Sequence, residues 1–103
     1  MKVIGLMSGT SMDGITAAMV EIDEKDNGLK VELLRHKTTP YSEKIKNQLM
    51  ELIDNGDVDT LCRLNFQVGE QFASAAESVI DYRNEARLIG SHGQTVCHLS
   101  PKE

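Results

Sequence analysis

The chain has 103 residues, 40% apolar and 26% charged, with a formal net charge of −5. That length supports one compact domain burying roughly two thirds of its unfolded surface and leaves little room for a second. The acidic balance, with no basic cluster beyond the scattered pair Lys44 and Lys46, argues against a nucleic-acid partner, and no apolar run approaches the roughly 18 residues of a membrane-spanning helix. With no signal-like segment either, Cys62 and Cys97 read as free thiols of a reduced, cytoplasmic protein rather than a disulfide pair.

In chain order, the apolar runs Lys2 to Met7 and Ile15 to Ile22 predict two strands, joined by the loop Ser8 to Gly14. Asp13-Gly14 suits a hairpin, because both residue types accept the positive φ of tight turns. A polar block from Asp23 ends in Asn27-Gly28, and the alternation from Lys30 to His36 predicts a third strand, completing an antiparallel meander. Beyond Pro40 the period changes. Ile45, Leu49, Leu52 and Ile53 recur at helical spacing, with Ser42 as the cap and Asn55-Gly56 as the stop. A longer helical pattern starts near Asp59, where Leu61, Leu64, Val68, Phe72, Ala75 or Ala76, and Val79 mark one face. Residues from Arg87 to Ser91 predict a short strand running into the loop His92-Gly-Gln-Thr95.

The fold class is therefore α/β in the order βββααβ, with a glycine-rich loop after the first strand and another after the last. Ligands gather at such strand ends in open α/β folds.

The first loop admits several readings on residue types alone. Ser8, Gly9, Thr10 and Ser11 can bring N–H groups and hydroxyls close to one anion, with no Cβ at Gly9 to obstruct it, and phosphate is the natural guest. Asp13 could then face the phosphates through a hydrated Mg²⁺ ion. A plain turn, with the hydroxyls serving its own backbone, stays open beside that reading. Gly-Thr-Ser-Met also resembles the nucleophile segment of subtilisin-like proteases, which would make Ser11 an acylating residue. Only ten residues precede it, however, and a strand rather than a helix follows. A Walker A loop is excluded, since no Gly-Lys-Ser/Thr ends the required spacing.

A hydroxyl-rich loop containing an aspartate, set between the first two strands of a meander, resembles the first phosphate loop of the superfamily of sugar kinases, heat-shock chaperones and actin. Gly5-Leu-Met-Ser-Gly-Thr-Ser-Met-Asp-Gly14, followed by Gly90-Ser-His-Gly-Gln-Thr-Val96, more closely resembles the anhydro-N-acetylmuramic acid kinases. The resemblance implies that residues 1–103 form a single incomplete domain. This would be the N-terminal part of a ribonuclease H-like, actin-like ATPase lobe in a two-lobe enzyme that continues beyond Glu103.

It further implies ATP and Mg²⁺ as cofactors, with Gly9, Thr10, Ser11, Met12, Asp13 and Gly14, and Ile15 and Thr16 at the edge, forming the nucleotide motif. Asp13 would organise the metal through water. Ser91, His92, Gly93, Gln94 and Thr95 would line the sugar side, with Gln94 and Thr95 suited to hydroxyl and amide recognition and His92 equally readable as a hydrogen-bonded structural residue. The reaction implied is hydrolytic opening of the 1,6-anhydro sugar with phosphorylation of its 6-oxygen, in peptidoglycan recycling. The general base would lie beyond Glu103, so no catalytic residue is assigned, and the fragment alone is expected to be inactive. A cytoplasmic homodimer is implied for the full-length enzyme, with small-molecule sugar and ATP as partners.

Two positions depart from the family pattern. Thr16 stands where Asp is common, and Cys97 where an aromatic residue is common. Adjacent Cys97 and His98 lack the paired short spacings of a zinc site, and Met7, Met12 and Met19 read as packing residues. The competing reading is a non-catalytic nucleotide-binding module of the same superfamily.

Overall fold

In the computed structural model, which describes residues 1–9 and 12–97, one four-stranded sheet carries two helices on one face. Strands β1 (Lys2–Ser8), β2 (Gly14–Lys25) and β3 (Gly28–Pro40) form the antiparallel meander, helices α1 (Glu43–Asn55) and α2 (Val58–Glu77) follow, and β4 (Leu88–Gln94) returns to the sheet. The spatial order is β3-β2-β1-β4, with β4 parallel to β1. The fold is the expected α/β one. The strands are longer than their apolar patterns: Asp23, Glu24 and Lys25 pair with Lys30, Leu29 and Gly28 across an extended hairpin that the polar block had suggested was loop.

Alternation along the strands decides which side is core. Ile4 and Leu6 of β1 and Ile15, Ala17 and Met19 of β2 are buried against the helices. From the other side come Ile45, Leu49 and Leu52 of α1, Leu64, Phe72, Ala75 and Ala76 of α2, and Val79. Helix α1 has the expected ends: the Ser42 side chain accepts the Ile45 N–H, and the Gly56 N–H donates to the Leu52 carbonyl. Helix α2 is capped by Asp57, whose side chain accepts the Asp59 N–H.

A charged cluster closes the sheet end where β1 begins. Glu85 has a fully buried side chain, and it accepts from the Arg35 guanidinium, from Lys2 Nζ at 3.2 Å and from the Asp81 N–H at 2.9 Å. Arg35 also donates to the Val79 carbonyl at 3.0 Å, so β3, β1 and the segment after α2 are tied together there. The Asp81 amide, then Arg35 and Lys2, hold the Glu85 carboxyl down at about 2.

Candidate functional site

The opposite end of the sheet carries the two glycine-rich motifs. The first begins where β1 stops at Ser8, and the Met12 N–H donates to the Gly9 carbonyl (3.2 Å) across Thr10 and Ser11, which lie outside the described residues. Met12 takes the left-handed backbone conformation (φ 55°) with its side chain in the core. Gly14, the expected positive-φ residue, does not take it. Its need is spatial: a Cβ there would sit 2.4 Å from the Thr39 carbonyl oxygen, because β3 runs directly alongside.

Asp13 projects from the loop with its side chain 75% exposed, and Lys46 Nζ on α1 stands 3.5 Å from its Oδ1. Ile15 is fully buried, so only its backbone is left to a ligand. Thr16, on the face turned away from the helices, shares a 2.9 Å hydrogen bond with Thr38.

The second motif lies beside the first because β4 pairs with β1. The ladder runs Val3↔Leu88 to Leu6↔Ser91 and then slips, so that Ser8 faces Gln94 rather than Gly93. The extra residue is a β-bulge, and Gly93 (φ 78°) supplies the left-handed backbone it uses. A shift of one residue moves every later side chain to the other face. Gln94 is thereby turned to the side that Ser8 occupies. The residues expected to form a loop at 92–94 are in fact the bulged end of the strand, which pairing with β1 keeps extended.

Gln94 and Ser8 meet Tyr41, the residue between β3 and the α1 cap. Ser8 Oγ lies 2.5 Å from Gln94 Oε1 and 2.8 Å from the Gly14 carbonyl, and the Tyr41 hydroxyl donates toward Gln94 Oε1 (3.0 Å) and Ser8 Oγ (3.2 Å). On its other side the Gln94 amide donates from Nε2 to the carbonyls of Gly9 (3.1 Å) and Thr95 (2.8 Å). Ser8 and Tyr41 are buried, and burial pushes the Tyr41 phenol above its ordinary range, so it remains a donor at neutral pH. Ser91 and His92 are exposed, and Gly93 and Thr95 are half-buried.

Tyr41 and Lys46 were not legible as site residues. Their only signal is the register that puts Pro40 opposite Gly14, a long-range pairing no local pattern encodes. Cys62 and Cys97 are exposed free thiols. Among the described residues, no helix is long and apolar enough to cross a membrane.

A hydroxyl-rich loop between the first two strands of a meander, flanked by the end of a parallel fourth strand, is the layout of the N-terminal part of an actin-like ATPase lobe. The comparisons narrow the class. The family described as anhydro-N-acetylmuramic acid kinase matches residues 1–103, and the chain belongs to it. Proteins named anhydro-N-acetylmuramic acid kinase from Caldanaerobacter subterraneus and Bacillus cereus are each 44% identical to it, over 94% and 100% of the chain. One from Acaryochloris marina is 44% identical over 99%. The chain spans 26–28% of the length of these curated relatives.

Proposed function

We propose that residues 1–103 are the nucleotide-loop part of an ATP-dependent kinase acting on 1,6-anhydro-N-acetylmuramic acid, yielding N-acetylmuramate 6-phosphate in the cytoplasmic recycling of peptidoglycan. Family membership supports the kinase. The observation that carries the reading at this site is the 3.1 Å hydrogen bond between Gln94 and Gly9, which joins two motifs 85 residues apart at one end of the sheet.

In this reading Gly9, Thr10 and Ser11 cradle the β- and γ-phosphates through N–H and hydroxyl groups, with Gly14 keeping β3 close behind them. Met12 and Ile15 anchor the loop in the core, and Thr16 closes its edge. Ser91, His92, Gly93 and Thr95 face the sugar, and water opens the anhydro bridge as the freed 6-oxygen takes the γ-phosphoryl group of ATP, with ADP as the leaving group. The base for that water is supplied from outside these residues.

A hydrated Mg²⁺ fits the donors present. Asp13 is a lone exposed carboxylate, and among the described residues no group of three or more His, Cys, Asp or Glu gathers around a point. Such an ion keeps most of its ligands as water and phosphate oxygens, and when bound it neutralises charge on the phosphoryl group in transfer. Lys46, 3.5 Å from Asp13, holds that carboxylate at the loop. The full-length enzyme is proposed to be a homodimer.

Asp13→Asn in the full-length enzyme tests the reading. Phosphorylation of the anhydro sugar should fall at least about 100-fold, the scale of losing a positioned charge in phosphoryl transfer. Thermal stability should hardly change, since an exposed pair such as Asp13–Lys46 contributes at most about 1 kcal/mol. Wild-type turnover in the variant would exclude Asp13 from the chemistry. A wild-type protein that binds nucleotide yet transfers nothing would favour the non-catalytic module. The 1–103 chain on its own should show no turnover.

A further inference from the structure

Both ends of the Gln94 amide are turned toward groups of this chain. A primary amide offers two acceptor sites and two donors. Here Oε1 faces the hydroxyls of Ser8 and Tyr41, and Nε2 donates to the carbonyls of Gly9 and Thr95. Turning the amide over would set Oε1 against two carbonyl oxygens, so its orientation is fixed by its neighbours. Ser8 is 1% exposed and Tyr41 7%, which shields the acceptor side from water. The Gly93 bulge is what aims the side chain there.

We infer that Gln94 is a positioning residue for the phosphate loop: its amide, braced by Ser8 and Tyr41, clamps the Gly9 end of that loop to the tip of β4. The inference rests on the proposed kinase reading in taking this loop to be the nucleotide loop. It moves Gln94 from contact with the sugar to control of the ATP site. The carbonyl of Gly9 is held by Gln94 on one side and by the Met12 N–H on the other. Tyr41 brings α1 into the same arrangement, because its hydroxyl reaches the clamp from the residue directly before the Ser42 cap.

The test uses the full-length enzyme. Gln94→Glu keeps the acceptors for Ser8 and Tyr41 but turns an oxygen toward the carbonyls of Gly9 and Thr95, losing both donors. The KM for ATP and the calorimetric Kd for a non-hydrolysable ATP analogue should both rise about tenfold, the scale of a hydrogen bond lost and replaced by an oxygen–oxygen repulsion, with the KM for the anhydro sugar within about twofold of wild type. Tyr41→Phe removes one donor without crowding and should raise the same two quantities about threefold. A rise confined to the sugar KM would make Gln94 a sugar ligand and overturn the proposal. Unchanged nucleotide affinity in both variants, whether or not kcat falls, would overturn it too. If Gln94→Glu does not fold, unchanged affinity in Tyr41→Phe alone decides against the clamp. If the wild-type enzyme binds ATP but does not phosphorylate the sugar, the kinase reading fails, while the calorimetric comparison still decides on Gln94.

Discussion

Two glycines at the candidate site are needed for different physical reasons. At Gly93 a Cβ meets nothing within 4 Å, and the constraint is the backbone at φ 78°, which costs an L-residue about 1 kcal/mol. At Gly14 the backbone is ordinary and the constraint is crowding, since both atoms a Cβ would strike belong to the main chain of β3. Backbone cannot rotate aside as a side chain can, so Gly14→Ala should cost about 2–3 kcal/mol, the upper range of overpacking, against about 1 kcal/mol for Gly93→Ala. Thermal or urea denaturation of the two variants would rank them, and equal losses would refute the distinction. Sequence reasoning singled out Gly14 for the wrong property. It expected a positive φ that Met12 carries instead, because closeness to Thr39 depends on pairing with Pro40, 26 positions away.

Among the elements, the helices were the most legible. Ser42 and Gly56 mark both ends of α1, and the apolar period of α2 finds Leu64, Phe72, Ala75 and Ala76 buried as expected. Leu61, read onto the same face, is instead 48% exposed. It borders an open cavity of about 190 Å³ with Leu52 and Val96. Periodicity identifies a face but not how far along the helix that face has a partner. The charged tie between β1, β3 and the segment after α2 escaped the sequence altogether, since Lys2, Arg35 and Glu85 are ordinary surface types until the fold brings them together.

That tie gives the elements a dependence on acid. The Glu85 carboxyl sits at about 2 in the folded chain against 4.5 as its reference, so its contribution to stability is complete above pH 4.5. The contribution then declines as pH falls from there toward about 2. Unfolding midpoints measured across this window should drop for the wild type, and the drop should be smaller for Glu85→Gln, which begins less stable at neutral pH. Parallel curves for the two proteins would show that other carboxylates govern the acid limit.

At the scale of the whole molecule, the chain is flat. Its radius of gyration is 16.0 Å and its shortest dimension 19 Å, whereas a compact chain of this length has a radius of gyration near 13 Å. Among the described residues, helices cover only one face of the sheet. Across the other, the register sets Leu88, Val3, Val20 and Leu33 in one row, with Leu88 57% and Leu33 56% exposed. Contiguous apolar surface of this kind favours association. Residues 1–103 in isolation should therefore gain apparent mass with concentration in light scattering, and a double Leu33→Lys, Leu88→Lys variant should remain monomeric. Strand patterns announced which residues alternate, but an uncovered face cannot be read from alternation.

The parallel pairing of β1 with β4 also imposes an order on how the chain acquires its shape. The meander forms between neighbours in sequence, whereas the clamp between Gly9 and Gln94 must close a span of 85 residues, and closing so long a span is slow. On a ribosome the hairpins and both helices emerge and can associate well before β4 is available. The contact between Gly9 and Gln94 should then form late, although Gly9 is among the first residues to be synthesised.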